Sequence, residues 1–269
     1  MNHPTARLLA KAALPIDAHP QHLSGGMMGE VYRCGAWVVK THASPPEGLF
    51  PAEAKGLDAL ACAGMTTPAV RYVDEGGVVM EYLAPGSPNP KGLATQIARL
   101  HGISASTYGW SAPVFLGRFR LPESIDSTDW VAFWTTYRIR PLIAATAPTL
   151  GPLASRLESL LEGYTPPMEG PVLLHGDLWN GNVLMTDRGA ALIDPSVWYG
   201  ERAVDLSMMR LFGGFSSRFW SIYRDLRPIS PAVEEAIPYY QLYYLLVHVH
   251  FFGAGYCRGV DEVLRGYGY

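Results

Sequence analysis

Asp177 and Asn182 stand five residues apart in the segment HGDLWNGN (175–182), and Asp194 follows twelve residues later at the end of the apolar run ALID. Two carboxylates and one amide offer only oxygen donors, a set that suits a hard cation such as Mg²⁺, which takes one or two carboxylates and leaves other positions to substrate phosphates. A third group, off the metal, can orient an attacking hydroxyl and accept its proton. In that division Asp177 is the base or orienter, and Asn182 and Asp194 hold the metal. Gly176 and Gly181 permit sharp turns that a β-carbon would obstruct. Asp, Asn and Gly are also the ordinary residues of turns, so the segment alone leaves a purely structural loop open.

The rest of the chain narrows that choice. SGGMMGEVY (24–32) is a glycine-rich turn running into a strand, without the GKS/T ending of a P-loop. Lys40 ends the β-type run WVVK, and Glu53 lies thirteen residues on, in a helical segment. An apolar strand then ends in the acidic–aromatic pair Glu81-Tyr82. Each feature alone has a plain surface explanation. Their order, from glycine-rich turn to strand lysine, helix glutamate, hinge-like strand end and Asp…Asn…Asp, matches the phosphoryl-transfer apparatus of protein-kinase-like enzymes.

These residues need elements to carry them. GEVYRCGAWVVKTH (29–42) and PAVRYVDEGGVVMEYL (68–83) each read as a pair of short strands, turned at Cys34-Gly35 and at Glu75-Gly76-Gly77. Between them FPAEAKGLDALACAG (50–64) has helical spacing, with Gly64 as its stop. After residue 84 the pattern is mostly helical: segments 93–103, 127–145, 153–164, 204–215, 219–226 and 232–252 read as helices, and Pro238 should kink the last or mark its true start. The expectation is an α+β, two-lobed fold: a small β-rich lobe over 1–83, a larger helical lobe over 84–269, and a cleft between them.

Composition sets the outer limits. The 269 residues are 48% hydrophobic and 17% charged, which describes a well-packed globular chain. A net charge of -3 with no basic run gives no field to recruit nucleic acid or an anionic membrane. Three scattered cysteines without a CxxC argue against a disulfide framework or a thiolate zinc site. No signal peptide is expected, and the most apolar stretch, 239–252, is too short to span a bilayer. The expected location is the cytoplasm. Oligomeric state is left open, with a monomer as the default.

LLHGDLWNGNVL (173–184), IDPSVWYGERAVDLSMMRLFGGF (193–215) and YQLYYLLVHVHFFGAGY (240–256), with SGGMMGEVYR and AEAKGL, resemble the fructosamine kinase (ketosamine 3-kinase) family over most of the chain. That family belongs with the aminoglycoside and choline kinases. The resemblance implies an ATP- and Mg²⁺-dependent kinase that phosphorylates the 3-hydroxyl of a free or protein-linked ketosamine and so serves deglycation. It implies that Gly25, Gly26 and Gly29 cover the phosphates, and that Lys40 contacts them while paired with Glu53. Met80, Glu81, Tyr82 and Leu83 would form the adenine hinge, with backbone groups of Glu81 and Leu83 at the base. Asp177 would be the base, and Asn182 and Asp194 the metal ligands. Trp179 would face the acceptor, Trp198 and Tyr199 could line the same pocket, and of His248 and His250 only His248 should reach it. Asp205 would bond catalytic-loop backbone. Asn180 stands where the family often has Ser. Met27 and Met28 stand where some members carry a redox cysteine, so no disulfide regulation is expected through that turn. An aminoglycoside- or choline-type kinase would share the same acidic residues, and a nucleotide-binding pseudokinase is the alternative of another class.

Overall fold

The computed structural model describes residues 3–17, 19–23 and 29–269. Gly25, Gly26, Met27 and Met28 lie outside them. The chain opens with a short helix α1 (Pro4–Lys11) and an edge strand β1 (Gln21–Leu23). Then come β2 (Glu30–Cys34), β3 (Trp37–Thr41), helix α2 (Leu49–Cys62), β4 (Val70–Asp74) and β5 (Gly77–Glu81). The strands form one antiparallel five-stranded sheet in the order β1-β2-β3-β5-β4. Both expected hairpins are present. Gly35 turns the first at φ 62. In the second, the Asp74 carboxylate accepts from the Gly76 amide at 2.8 Å, a side-chain mimic of a backbone turn. Gly64, at φ 79, ends α2 as expected.

Alternation along the strands sorts their side chains. Val39 and Val79 face α1, packing with Leu8, Leu9 and Cys34. Val38, Val78 and Met80 face α2, packing with Phe50 and Leu57. Lys40, two residues beyond Val38, is therefore delivered to the α2 side. The sequence reading missed α1 and β1. Each is short, and β1 is the partly exposed QHL on a sheet edge, with no period-2 signal to find.

The remainder is mainly helical. Helix α3 (Pro90–Leu100) is followed by four short strands, β6 (Tyr108–Trp110), β7 (Phe115–Leu116), β8 (Phe119–Arg120) and β9 (Ser124–Ser127). Helix α4 (Trp130–Trp134) passes through a π-helical turn (Thr135–Ile139) into α5 (Arg140–Leu150), followed by α6 (Leu153–Gly163). Strand β10 (Val172–Leu174), a 3₁₀ turn (Asn180–Asn182), and strands β11 (Val183–Thr186), β12 (Gly189–Leu192) and β13 (Trp198–Gly200) make up the central segment. Helices α7 (Ala203–Leu211), α8 (Ser217–Leu226), α9 (Pro231–Phe252) and α10 (Cys257–Gly266) close the chain. A four-stranded sheet, β10-β13-β6-β9, joins the central segment to residues 108–127, which the sequence reading left without strands.

Helix α9 is the axis of this part. It is buried on most sides, which explains an apolar run with little amphipathic bias. The helix begins at Pro231, capped by the Ser230 hydroxyl, and runs through Pro238, so Pro238 does not mark its start. Its tyrosines meet Trp130 and Trp134, which in turn pack on Trp198, in an aromatic core: Trp130 and Trp198 stack at 6.1 Å, and the Trp130 indole N–H donates to Tyr240 Oη at 3.0 Å. No helix among the described residues is long and apolar enough to cross a membrane.

Candidate active site

The site lies where the five-stranded sheet and α2 meet the central segment. Lys40 Nζ donates to Glu53 Oε1 at 2.7 Å and also contacts the Asp194 carboxylate. Burial alone would push the Lys40 ammonium down. The Asp194 and Glu53 charges outweigh it and hold Lys40 above the usual lysine range. The Glu53 carboxyl is pushed up, chiefly by its own burial and in spite of Lys40. The side chains of Lys40, Glu53 and Asp194 are 8%, 2% and 22% exposed, so Asp194 is the member most open to solvent. Asp194 itself sits at φ 54, a left-handed conformation uncommon outside glycine and typical of functional turns.

Asp177 and Asn182 form the neighbouring pair. Asn182 Nδ2 donates to the Asp177 carbonyl at 2.8 Å and to its carboxylate at 3.1 Å. Burial pushes the Asp177 carboxyl up to about 7, the Asp194 charge adds to it, and the Asn182 hydrogen bond opposes it. Because the Asn182 amide nitrogen is committed to Asp177, the group it can offer a ligand is its oxygen. Together with the Asp194 carboxylate this makes a hard-oxygen donor set, so the residues present fit a Mg²⁺ ion.

Backbone clamps hold the acidic residues in place. Asp205, at the first turn of α7, accepts from the His175 and Gly176 amides at 2.8 and 2.9 Å, in agreement with the structural role expected for it. His175 ties the two acidic segments together. Its Nε2 donates to the Ile193 carbonyl at 3.0 Å, and its Nδ1 accepts from the Asp177 amide at 3.3 Å. Those partners require the neutral ring, and burial pushes its pKa down, which favours that form. Tyr244 of α9 donates from Oη to the Gly176 carbonyl at 2.9 Å. The histidine precedes the acidic motif and could have been suspected from it. Nothing in the sequence singles out Tyr244 among the tyrosines of α9.

The two glycines act differently. Gly176 is at φ 80, and a Cβ there would lie 1.8 Å from the Ser196 carbonyl oxygen, so both its conformation and the close backbone approach need glycine. Gly181 lies in the 3₁₀ turn and has no positive φ. Its bare Cα makes room for the Trp179 ring, which would meet a Cβ at 2.3 Å. The sharp-turn expectation for Gly181 is replaced by a packing one.

The expected nucleotide residues that are described lie on or next to the five-stranded sheet. Gly29 is at φ 140, with its α-carbon against the Thr41 carbonyl. Met80 is buried under α2. The Glu81 amide donates to Ala69 O and the Tyr82 amide to Ala36 O, both at 2.9 Å, so these two N–H groups are committed to neighbouring backbone. The Glu81 side chain pairs with Arg188 at 2.9 Å, and the Arg33 guanidinium lies 3.8 Å over the Tyr82 ring. Leu83 is buried just past the strand.

The expected acceptor residues separate. Trp179 is exposed on the HGDLWNGN loop itself and meets Phe212 at 6.4 Å. His248 is half-buried, donates from Nδ1 to the Tyr244 carbonyl at 2.7 Å, and lies tilted against Phe212 at 4.8 Å. Burial lowers its pKa. His250 points elsewhere, against Phe119. Trp198 corrects the sequence reading: it is fully buried among Trp130, Phe133 and Arg138, with no surface left to offer an acceptor. On β13 successive side chains alternate, so Trp198 points to the core while half-buried Tyr199 faces Trp110 at 5.9 Å.

A sheet lysine paired with a glutamate from the helix packed on that sheet, set against a central segment that supplies an Asp–Asn pair and a second Asp, defines a phosphotransferase of the protein-kinase-like fold. The family model described as fructosamine kinase matches residues 7–267, and the chain belongs to that family. A Thermus thermophilus protein named "Probable ketoamine kinase" is 49% identical over 93% of this chain and 94% of its own length. The chloroplastic protein-ribulosamine 3-kinase of Oryza sativa subsp. indica is 28% identical over 87% of this chain and 72% of its own. Among solved structures, a fructosamine-3-kinase candidate from Thermobifida fusca superposes with a TM-score of 0.82 at 31% identity, covering 93% of each chain. An aminoglycoside phosphotransferase in ternary complex with ADP and hygromycin B, at TM-score 0.60 and 16% identity over 97% of each chain, shares the fold.

Proposed function

We propose that this chain is an ATP-dependent ketosamine 3-kinase, acting on fructosamine- or ribulosamine-type adducts. The observation that carries the reading is the junction of Lys40–Glu53 with Asp194, beside the Asp177–Asn182 pair, in a chain matched by the family over nearly its whole length. Residues 1–83 serve as the nucleotide lobe and 84–269 as the catalytic and acceptor lobe. Lys40 holds the ATP phosphates, with Gly25, Gly26 and Gly29 covering them and Met80 to Leu83 seating adenine. Asn182 and Asp194 would hold Mg²⁺, which when bound would neutralise phosphate charge.

Asp177 orients the sugar 3-hydroxyl and accepts its proton as that oxygen bonds to the γ-phosphorus. The bond from the γ-phosphorus to the β-phosphate bridging oxygen breaks, and ADP leaves with the electron pair. No covalent enzyme intermediate is needed; positioning and electrostatics carry the step. A base held up to about 7 suits proton acceptance near neutral pH. The product ketosamine 3-phosphate sheds its amine, which makes the reaction a deglycation.

The test is ATP consumption with Mg²⁺ on fructosyl-lysine and ribulosyl-lysine, with phosphorus NMR of the product. Phosphate on the sugar, lost in Asp177→Ala, is the expected result. Transfer to an aminoglycoside or choline instead, or ATP binding with no transfer to any acceptor, would overturn it.

A further inference from the structure

A continuous ribbon of aromatic side chains leads away from the catalytic loop. It starts at Trp179, two residues from Asp177, and passes to Phe212 at 6.4 Å, His248 at 4.8 Å, and then Phe252 and Tyr256 at 5.5 and 4.9 Å. Phe252 and Tyr256 close on each other at 5.9 Å. Trp179, Phe212 and Phe252 are 40%, 41% and 51% exposed, three of the seven large apolar side chains left open among the described residues. Three separate elements build the ribbon: the catalytic loop, the end of α7 and the end of α9 with its 3₁₀ turn.

The ribbon is held in place from below. Gly213 and Gly214, at φ 67 and 88, turn the chain after Phe212, and Gly214 lies against Asn180, where a Cβ would meet the Asn180 Cβ at 2.6 Å. The turn is thereby pressed onto the catalytic loop. Gly181 gives the Trp179 ring its seat. His248 is anchored through Nδ1 to the Tyr244 carbonyl, so its ring is fixed between Phe212 and Phe252. An apolar surface assembled in this way and continuous with the reacting residue is suited to part of the acceptor.

Resting on the ketosamine-kinase reading, we infer that this ribbon selects the amine-borne half of the acceptor, favouring ketosamines whose nitrogen carries an aryl or bulky alkyl group over those of small or hydroxyl-rich amines. The sugar half engages Asp177 and is common to all acceptors, so discrimination must come from the other half. Flat, half-exposed rings gain most from a flat or branched apolar group laid over them.

The test compares kcat/KM for two fructosamines that differ only beyond the nitrogen, the phenethylamine and methylamine adducts, in the wild type, Phe212→Ala and Phe252→Ala. The wild type should prefer the phenethyl adduct by about tenfold, through KM, and each variant should move that ratio toward one. Equal kcat/KM for both adducts in the wild type, or a preference that neither variant changes, overturns the inference while leaving the kinase reading in place. Turnover of neither adduct overturns the kinase reading instead. A dimer at assay concentration that Phe252→Ala dissolves would show the ribbon covered by a second copy and also overturns the inference.

Discussion

Asp177→Asn should abolish phosphoryl transfer and yet stabilise the free protein above neutral pH. The substitution keeps the volume of the side chain and an oxygen that can still accept from Asn182 Nδ2. It removes only the charge. Burial and the Asp194 carboxylate raise the Asp177 pKa from 3.8 to about 7 in the folded protein. About three pH units at 1.36 kcal/mol each set a ceiling of ~4 kcal/mol for the cost of keeping this carboxylate ionised. The side chain retains partial solvent contact, which screens the interaction, so about 1–2 kcal/mol is the working figure. For the sign, an acid with a raised folded pKa binds more protons folded than unfolded at intermediate pH. Wild-type stability is therefore favoured below the unfolded pKa near 4 and lost as pH rises through about 7. Asn at 177 has no such dependence. Urea unfolding from pH 5 to 8.5 should show the variant gaining on the wild type across that range and levelling off above pH 7.5 or so. The matching kinetic signature is a rise of wild-type kcat/KM through an apparent pKa near 7. A variant that is less stable than the wild type by the same margin at every pH would refute the reasoning.

Further outcomes are expected. Asp194→Ala should abolish transfer while the far-UV circular dichroism stays native, and retained turnover would break its assignment. Lys40→Met leaves the Glu53 and Asp194 carboxylates close together without their cation, and should cost about 3–5 kcal/mol in denaturant unfolding together with loss of ATP affinity. Gly176→Ala should cost several kcal/mol, roughly 3 or more, or prevent folding, because it meets both the Ser196 carbonyl and a left-handed φ; a stable Ala variant would show that the loop can move. Tyr244→Phe strands the Gly176 carbonyl in the interior and should cost about 1–3 kcal/mol, with kcat reduced more than KM is raised. Oxidant should leave activity unchanged, since the turn at 24–29 carries no thiol, and reversible oxidant-linked dimers would contradict this.

Much of this protein was legible in the linear chain because its signals are local. Strand alternation around Val38–Lys40, the turn residues Gly35 and Asp74–Gly76, and the stop at Gly64 act within a few residues, so their elements follow from short-range sterics and hydrogen bonding. The residues Lys40, Glu53, Asp177, Asn182 and Asp194, which the structure gathers into the Lys40–Glu53–Asp194 and Asp177–Asn182 contacts, were equally readable as a set, because their types and chain order are linear properties. Other features depend on what the chain meets after folding. Trp198 and Tyr199 are adjacent and alike in sequence, and only the strand pairing of β13 decides that one enters the core and the other faces Trp110. Gly181 looks like a turn glycine until the Trp179 ring is seen lying over it. Tyr244 becomes a clamp on Gly176 through a contact that spans 68 residues of chain, and Phe212 joins Trp179 and His248 only because α7 and α9 end beside the 175–182 loop. The sequence by itself determined which atoms could do chemistry and the local frames that carry them. The tertiary structure alone decided which of the many aromatic side chains became core, clamp or open surface, because burial is settled by packing between distant segments and not by residue type.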